Sequence, residues 1–247
     1  MDMDCAQNQQ TGASTARTNG PHRIAYFGAL LACSLILGGC VTPVPIAEQS
    51  INPSYMAGHP VLVSVVDERE EVREGKPANY IGRMHLAFGI PADMSVYPIV
   101  TEEKSNKDQT LAAALEERIV NGFRARGWTA VGAGLASSPS ADQLATIIKN
   151  GGAKRFLLLT LDRWFVSVNT NWVTAFNFDW GVRIQVVDDS GTSLVDFRES
   201  GRDVVDAEYN QSYGNHIRIA YKNRLTKLLE DARVRDALTD ASRGASD

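Results

Sequence analysis

The chain reads as an α+β protein: a two-layer sandwich of mostly antiparallel sheet, with helices packed on one face. Three observations predict this. Phe176, Phe178, Trp180, Val182, Ile184 and Val186 alternate with Asn177, Asp179, Gly181, Arg183 and Gln185, the period of a strand with one buried and one wet face. Leu111, Leu115, Ile119 and Phe123 recur every fourth residue, one stripe of an amphipathic helix. Strand patterns cluster before a final helical pattern instead of alternating with helices throughout.

Each element has its own signal. Val61 to Val66 is a continuous apolar run between Pro60 and Asp67, suited to a central strand buried on both faces. Asp67 to Lys76 is dense in charge and reads as a solvated loop. Residues 77–94 lack periodicity and read as loop, with a short strand near Ile81. Ser95 to Val100 reads as a second strand, placed at an edge by Pro98. Asp108 to Arg126 is the strongest helix, with Ser105 or Asn106 as its cap and Gly127 as its stop. Trp128 to Val131 follows as a short strand. Ser140 and Gln143 have the spacing of a capping box before a short helix that ends at Gly151-Gly152. Arg155 to Val168, Thr174 to Asp188 and Ser193 to about Val204 form a meander, with Asp189-Ser190-Gly191 as one turn. Asn215 to Ala232 reads as the last helix, followed by a turn at Val234 and Leu238.

The first forty residues carry a different signal. Arg17, His22 and Arg23 precede an apolar run from Ile24 to Leu37, too short to span a bilayer but fitting the apolar region of a secretory signal. The run ends Leu37-Gly38-Gly39-Cys40, which resembles the lipobox of bacterial lipoproteins. That resemblance implies cleavage between Gly39 and Cys40, and lipidation of Cys40. The expected organisation is a signal peptide over 1–39, an extended lipidated tether over 40–60, one periplasmic domain over 61–238 and a polar tail over 239–247. Val41, with no Asp after the cysteine, implies by lipoprotein sorting rules the outer membrane of a Gram-negative cell.

Composition excludes several function classes. The 247 residues carry 25 Lys plus Arg against 29 Asp plus Glu, a net charge of -4, and no basic block, so nucleic acid is not an expected partner. The three cysteines, Cys5, Cys33 and Cys40, all precede the body. A disulfide framework, thiolate metal site or cysteine nucleophile is therefore ruled out there. His59, His85 and His216 are not spaced for zinc, and no nucleophile elbow occurs. Asp162 and Asp179 fall within strands. Asp179 shares a face with Arg183, about 13 Å away along the strand and out of ion-pair reach.

No catalytic residue, metal or cofactor is therefore assigned. Asp67 and Arg69, at the end of a central strand, are the pair singled out. A salt link bracing the loop is the main reading and a ligand or partner contact the second. Trp164, Phe165, Trp172, Phe176, Phe178 and Trp180 gather on one hairpin as core, with Trp172 near its turn a candidate partner anchor.

The body resembles the YajG family of envelope lipoproteins, a family without an assigned activity. The likeness runs from Cys40 through Asp67-Glu68-Arg69, Ile81-Gly82 and Gly127-Trp128 to the last helix. Arg83 to Met94 departs from it and reads as an insertion. The expected function is a non-catalytic lipoprotein held at the membrane through Cys40, binding an envelope protein. The alternatives are an envelope hydrolase using carboxylates in a cleft, or a lipid or glycan carrier.

Overall fold

The computed structural model describes residues 44–169, 175–206 and 212–239. Seven strands form one sheet: β1 (Val61–Asp67), β2 (Tyr80–His85), β3 (Pro91–Ser95), β4 (Ala130–Gly132), β5 (Arg155–Asn169), β6 (Ala175–Asp188) and β7 (Ser193–Asp206). Four longer helices accompany them: α1 (Leu111–Ala125), α2 (Ala141–Asn150), α3 (Tyr213–Leu229) and α4 (Ala232–Thr239).

The α+β class holds, but the sheet is mixed. β1 runs parallel to both β4 and β5, and β2 runs parallel to β5. Only β2–β3, β5–β6 and β6–β7 are antiparallel. Alternation along a strand reports which face a residue takes, not the direction of the strand, so the alternating pattern of the long strands did not reveal the parallel pairs. They arise because α1 and α2 carry the chain back between β1, β4 and β5.

A second difference concerns the layers. Val61, Val63, Val65, Leu157 and Leu159 join the core formed with α1 and α3. Leu62, Val66, Phe156 and Leu158 point the other way and pack on Leu144 and Ile148 of α2. Helices therefore cover both faces of the sheet where β1 meets β5, as the unbroken apolar run of β1 requires.

β5 organises the rest. Its residues 155–161 pair with β1, and residues 166–169 pair with β2 on the same side. Between them lies a bulge at Leu161/Arg163. One extra residue there exchanges the faces, so Leu157, Leu159 and Leu161 share the main core with Trp164, Val166 and Val168. Trp164 and Phe178 meet edge to face at 4.9 Å, and Tyr221 of α3 closes on Trp164 at 5.3 Å. Trp164, Phe178 and Tyr221 are fully buried, so the sheet–helix interface is filled by side chains.

Most helix signals correspond to real caps. Ser140 accepts from the Gln143 amide while the Gln143 side chain accepts from the Ser140 amide, a complete capping box. Leu111, Leu115, Ile119 and Phe123 are all buried. After α1, Gly127 takes φ 88 and the Trp128 ring stacks on Phe123 at 4.0 Å. The α1 cap is Thr110, which accepts from the Ala113 amide, not Ser105 or Asn106. Those two lie in a separate turn, Lys104–Asn106. α3 starts earlier than expected, capped by Ser212.

The second strand is also displaced. Pro91–Ser95 is the strand, and Val96–Ile99 is a helical turn. The segment expected as an extended tether instead packs on the body from Val44. Gln49, Ser50, Ile51 and Ala57 are buried there. Small residues on α1 permit this: a Cβ at Gly122 would stand 2.2 Å from the Ile51 carbonyl oxygen.

Candidate functional site

Asp67 and Arg69 form a brace inside the fold. Arg69 is 1% exposed. Its Nε donates to Asp67 Oδ1 at 2.8 Å and its Nη2 to Oδ2 at 2.7 Å. Its Nη1 donates to the carbonyls of Tyr80 (2.8 Å) and Trp164 (3.2 Å). These carbonyls sit where β5 passes from β1 to β2 and no strand covers its edge. The planar fork of arginine matches the Asp67 carboxylate, and its remaining donor closes that gap. The pair thus serves the strand exchange and presents almost no surface to a partner. The other candidate residues, Gly39, Cys40 and Trp172, lie outside the described residues.

The carboxylates within strands belong to a cross-strand ion-pair ladder on the outer sheet face. Asp179 accepts from Arg202 of β7, and Arg163 of β5 lies 3.7 Å from it. Arg183 donates instead to Asp196 across the β6–β7 pair at 2.7 and 2.6 Å. Asp162 accepts from Arg198 at 3.0 Å. The along-strand partners of Asp179 are therefore passed over for opposite ones, as strand spacing demands. The hydrogen-bonding guanidinium of Arg202 holds Asp179 below the usual carboxylate range, and that of Arg183 does the same for Asp196.

The histidines are not brought together. His216 is buried in the first turn of α3, His85 pairs with Pro91 in the β2–β3 hairpin, and His59 is half-buried near Arg155. Among the described residues, no group of three or more His, Cys, Asp or Glu could hold a metal ion. None of the described helices is long and apolar enough to cross a membrane.

Glu116 of α1 has a structural task. Its Oε2 accepts from Ser64 Oγ (3.1 Å) and from the Val65 amide (3.2 Å), and its Oε1 accepts from the Gly134 amide (3.1 Å). β4 pairs with β1 only at Val61–Val63, so Glu116 covers the next free amide of a strand edge. A cleft of about 550 Å³ opens beside it, lined by Val65, Glu116, Val120, Arg124, Gly132 and Leu135.

The surface that sequence reasoning missed is the end of the β2–β3 hairpin. Leu86 is 42% exposed, Phe88 99% and Ile90 58%. The Leu86 amide donates to the Ile90 carbonyl (2.8 Å), and the Gly89 amide donates to the Leu86 carbonyl (3.0 Å). Phe88 takes φ 63, ψ 18, a left-handed conformation uncommon for a bulky residue. The closed turn directs three apolar side chains outward. The available signal was the alternation Leu86, Phe88, Ile90 around Gly89, within the stretch read as an insertion.

Comparison with known proteins gives distant structural similarities only. No family model matches the chain, and no curated protein matches it. Among solved structures, a Xanthomonas campestris protein described by the family model DUF330 aligns at 11% identity and TM-score 0.43, covering 80% of this chain and 95% of that one. The PelC dodecamer from Paraburkholderia phytofirmans aligns at 14% identity and TM-score 0.37, covering 77% of this chain and 95% of that one. A lipoprotein from Neisseria meningitidis aligns at 13% identity and TM-score 0.27, covering 69% of this chain and 98% of that one.

Proposed function

We propose that this chain is a non-catalytic envelope lipoprotein, anchored through Cys40 in the outer membrane, whose periplasmic body binds another envelope protein. The observation that carries the reading is the ordered signal: cations at Arg17 and Arg23 around His22, an apolar run, then Leu37-Gly38-Gly39-Cys40. Cysteine is confined to that region, as expected where one thiol is needed for a lipid and none for the body.

Two features of the body favour binding over the alternatives. A carboxylate hydrolase needs one acid with a raised pKa. Among the described residues, the carboxylates whose pKa is displaced, Asp93, Asp179, Asp189, Asp196 and Asp231, are all held low by neighbouring Lys or Arg. A lipid carrier needs an apolar cavity between sheet and helices, where Trp164, Phe178 and Tyr221 are packed against each other.

The test is intact-mass measurement on the membrane fraction of a Gram-negative host expressing the full chain. A mature chain starting at Cys40 and carrying diacylglycerol supports the reading, with Cys40→Ser remaining unprocessed. A retained leader, or a Cys40 without acyl groups, overturns it. In-cell crosslinking of the processed protein then identifies the partner, and the outer membrane is checked by density separation.

A further inference from the structure

The described residues include seven exposed large hydrophobics, and Leu86, Phe88 and Ile90 are three of them within five positions. Scattered apolar residues on a surface need no explanation, but a cluster at one projecting tip does. The left-handed Phe88 adds to this: a strained backbone is kept at a position whose ring packs on nothing.

The base of this hairpin lies beside the point where the chain leaves toward Cys40. β3 ends at Ser95 and continues into Val96–Ile99. Arg218 of α3 donates to the Pro98 carbonyl (3.4 Å) and to Asn215 Oδ1 (2.8 Å). The same Asn215 Oδ1 accepts from the amide of Val44 (3.2 Å). From Val44 the chain back to Cys40 can reach at most about 14 Å. From Ser95 the β3 strand carries the tip about 13 Å outward before the turn adds its own length. Anchor and tip therefore start from points joined through Arg218 and Asn215, and the tip projects at least as far as the chain to Cys40 can reach.

We propose that the Leu86–Ile90 tip is a membrane-contact element, with Leu86, Phe88 and Ile90 entering the headgroup–acyl boundary of the same bilayer that holds the Cys40 lipid. This rests on the lipoprotein reading above. An apolar tip supplies interfacial binding, and the lipid supplies the anchor that removes the cost of bringing the body to the surface. Two attachment points on one bilayer restrict the body's orientation more than one does.

The test uses the full lipidated protein in vesicles of phosphatidylethanolamine and phosphatidylglycerol. Once processed, the chain has no free thiol, so Phe88→Cys takes an environment-sensitive fluorophore at one place. Ser193→Cys, at the opposite end of the sheet, is the reference position. The expected result is loss of most of the position 88 emission to a lipid spin-labelled near the headgroup, with position 193 unaffected and quenched by aqueous iodide. The double variant Leu86→Ser/Ile90→Ser, carrying the same label at position 88, should lose much of that lipid quenching without a change in thermal unfolding.

A label at position 88 quenched by iodide and not by the spin-labelled lipid overturns the proposal. So does a label shielded from both, which means the tip is covered by protein, whether a second copy or another chain. Intact mass of the same sample separates the two readings. Lipidated protein with a wet tip sinks this inference alone, whereas an unmodified Cys40 sinks both.

Discussion

Arg69 shows how one side chain can hold a change of strand partner. Four guanidinium hydrogen bonds meet Asp67 and two carbonyls that the passage from β1 to β2 leaves uncovered. Arg69→Ala should cost about 3–5 kcal/mol in urea unfolding, because it strands a nearly buried carboxylate and those carbonyls together. Asp67→Leu combined with Arg69→Met should cost less than Arg69→Ala alone, since the charge leaves with its partner. A double variant as damaged as the single one would show that the carbonyl contacts dominate. Gly82 is the second such residue. It takes φ 149, and an added Cβ would sit 2.0 Å from the Val166 carbonyl oxygen. Gly82→Ala should therefore destabilise by more than about 3 kcal/mol and lower the melting temperature by over 5 °C or so, detaching β2 from β5.

At the scale of elements, caps and crossings decide order. Ser140→Ala removes one half of a complete capping box and should cost roughly 1 kcal/mol by denaturant unfolding, mostly through fraying of α2. The segment from Val44 to Ala57 is held differently, by buried Ile51 against Gly122 of α1. Gly122→Ala forces that strap off its seat. Limited proteolysis should then cut between residues 44 and 57 faster, with the cleaved body still folded. Equal cutting rates would mean the strap is held by Gln49 and Asn215 instead. The β6 pattern and the α1 stripe were readable without coordinates, since each is a local repeat set against one face. The helical turn at Val96–Ile99 was not, because its apolar residues serve contacts with α3 and not a periodic surface.

For the molecule as a whole, pH dependence follows from its charges. His59 is held below its usual 6.5, first by burial and then by the charge of Arg155. Below pH 6.5 the unfolded chain takes up that proton before the folded one does, so stability falls as pH drops. Melting temperature should therefore decline from pH 7 to ~5, and His59→Gln should flatten that slope. A second decline should begin below pH 3.8, where the five lowered aspartates protonate later in the folded state than in the unfolded one. A wild-type slope retained in His59→Gln would assign the first step elsewhere.

Local chemistry along the chain was enough to read the α+β class, the Ser140 capping box, the stop at Gly127 and the cysteine-free body. Each of these depends on neighbours within a few residues, where spacing, side-chain size and charge act directly. Tertiary structure alone decided strand direction, which helix covers the second face of β1, the seat of the strap and the exposure of Phe88. Parallel pairing joins residues nearly a hundred positions apart, as Val61 with Arg155, and no local period records such a contact. Exposure is decided the same way: Phe88 is open and Phe178 buried because of what the rest of the chain brings, or fails to bring, against each ring.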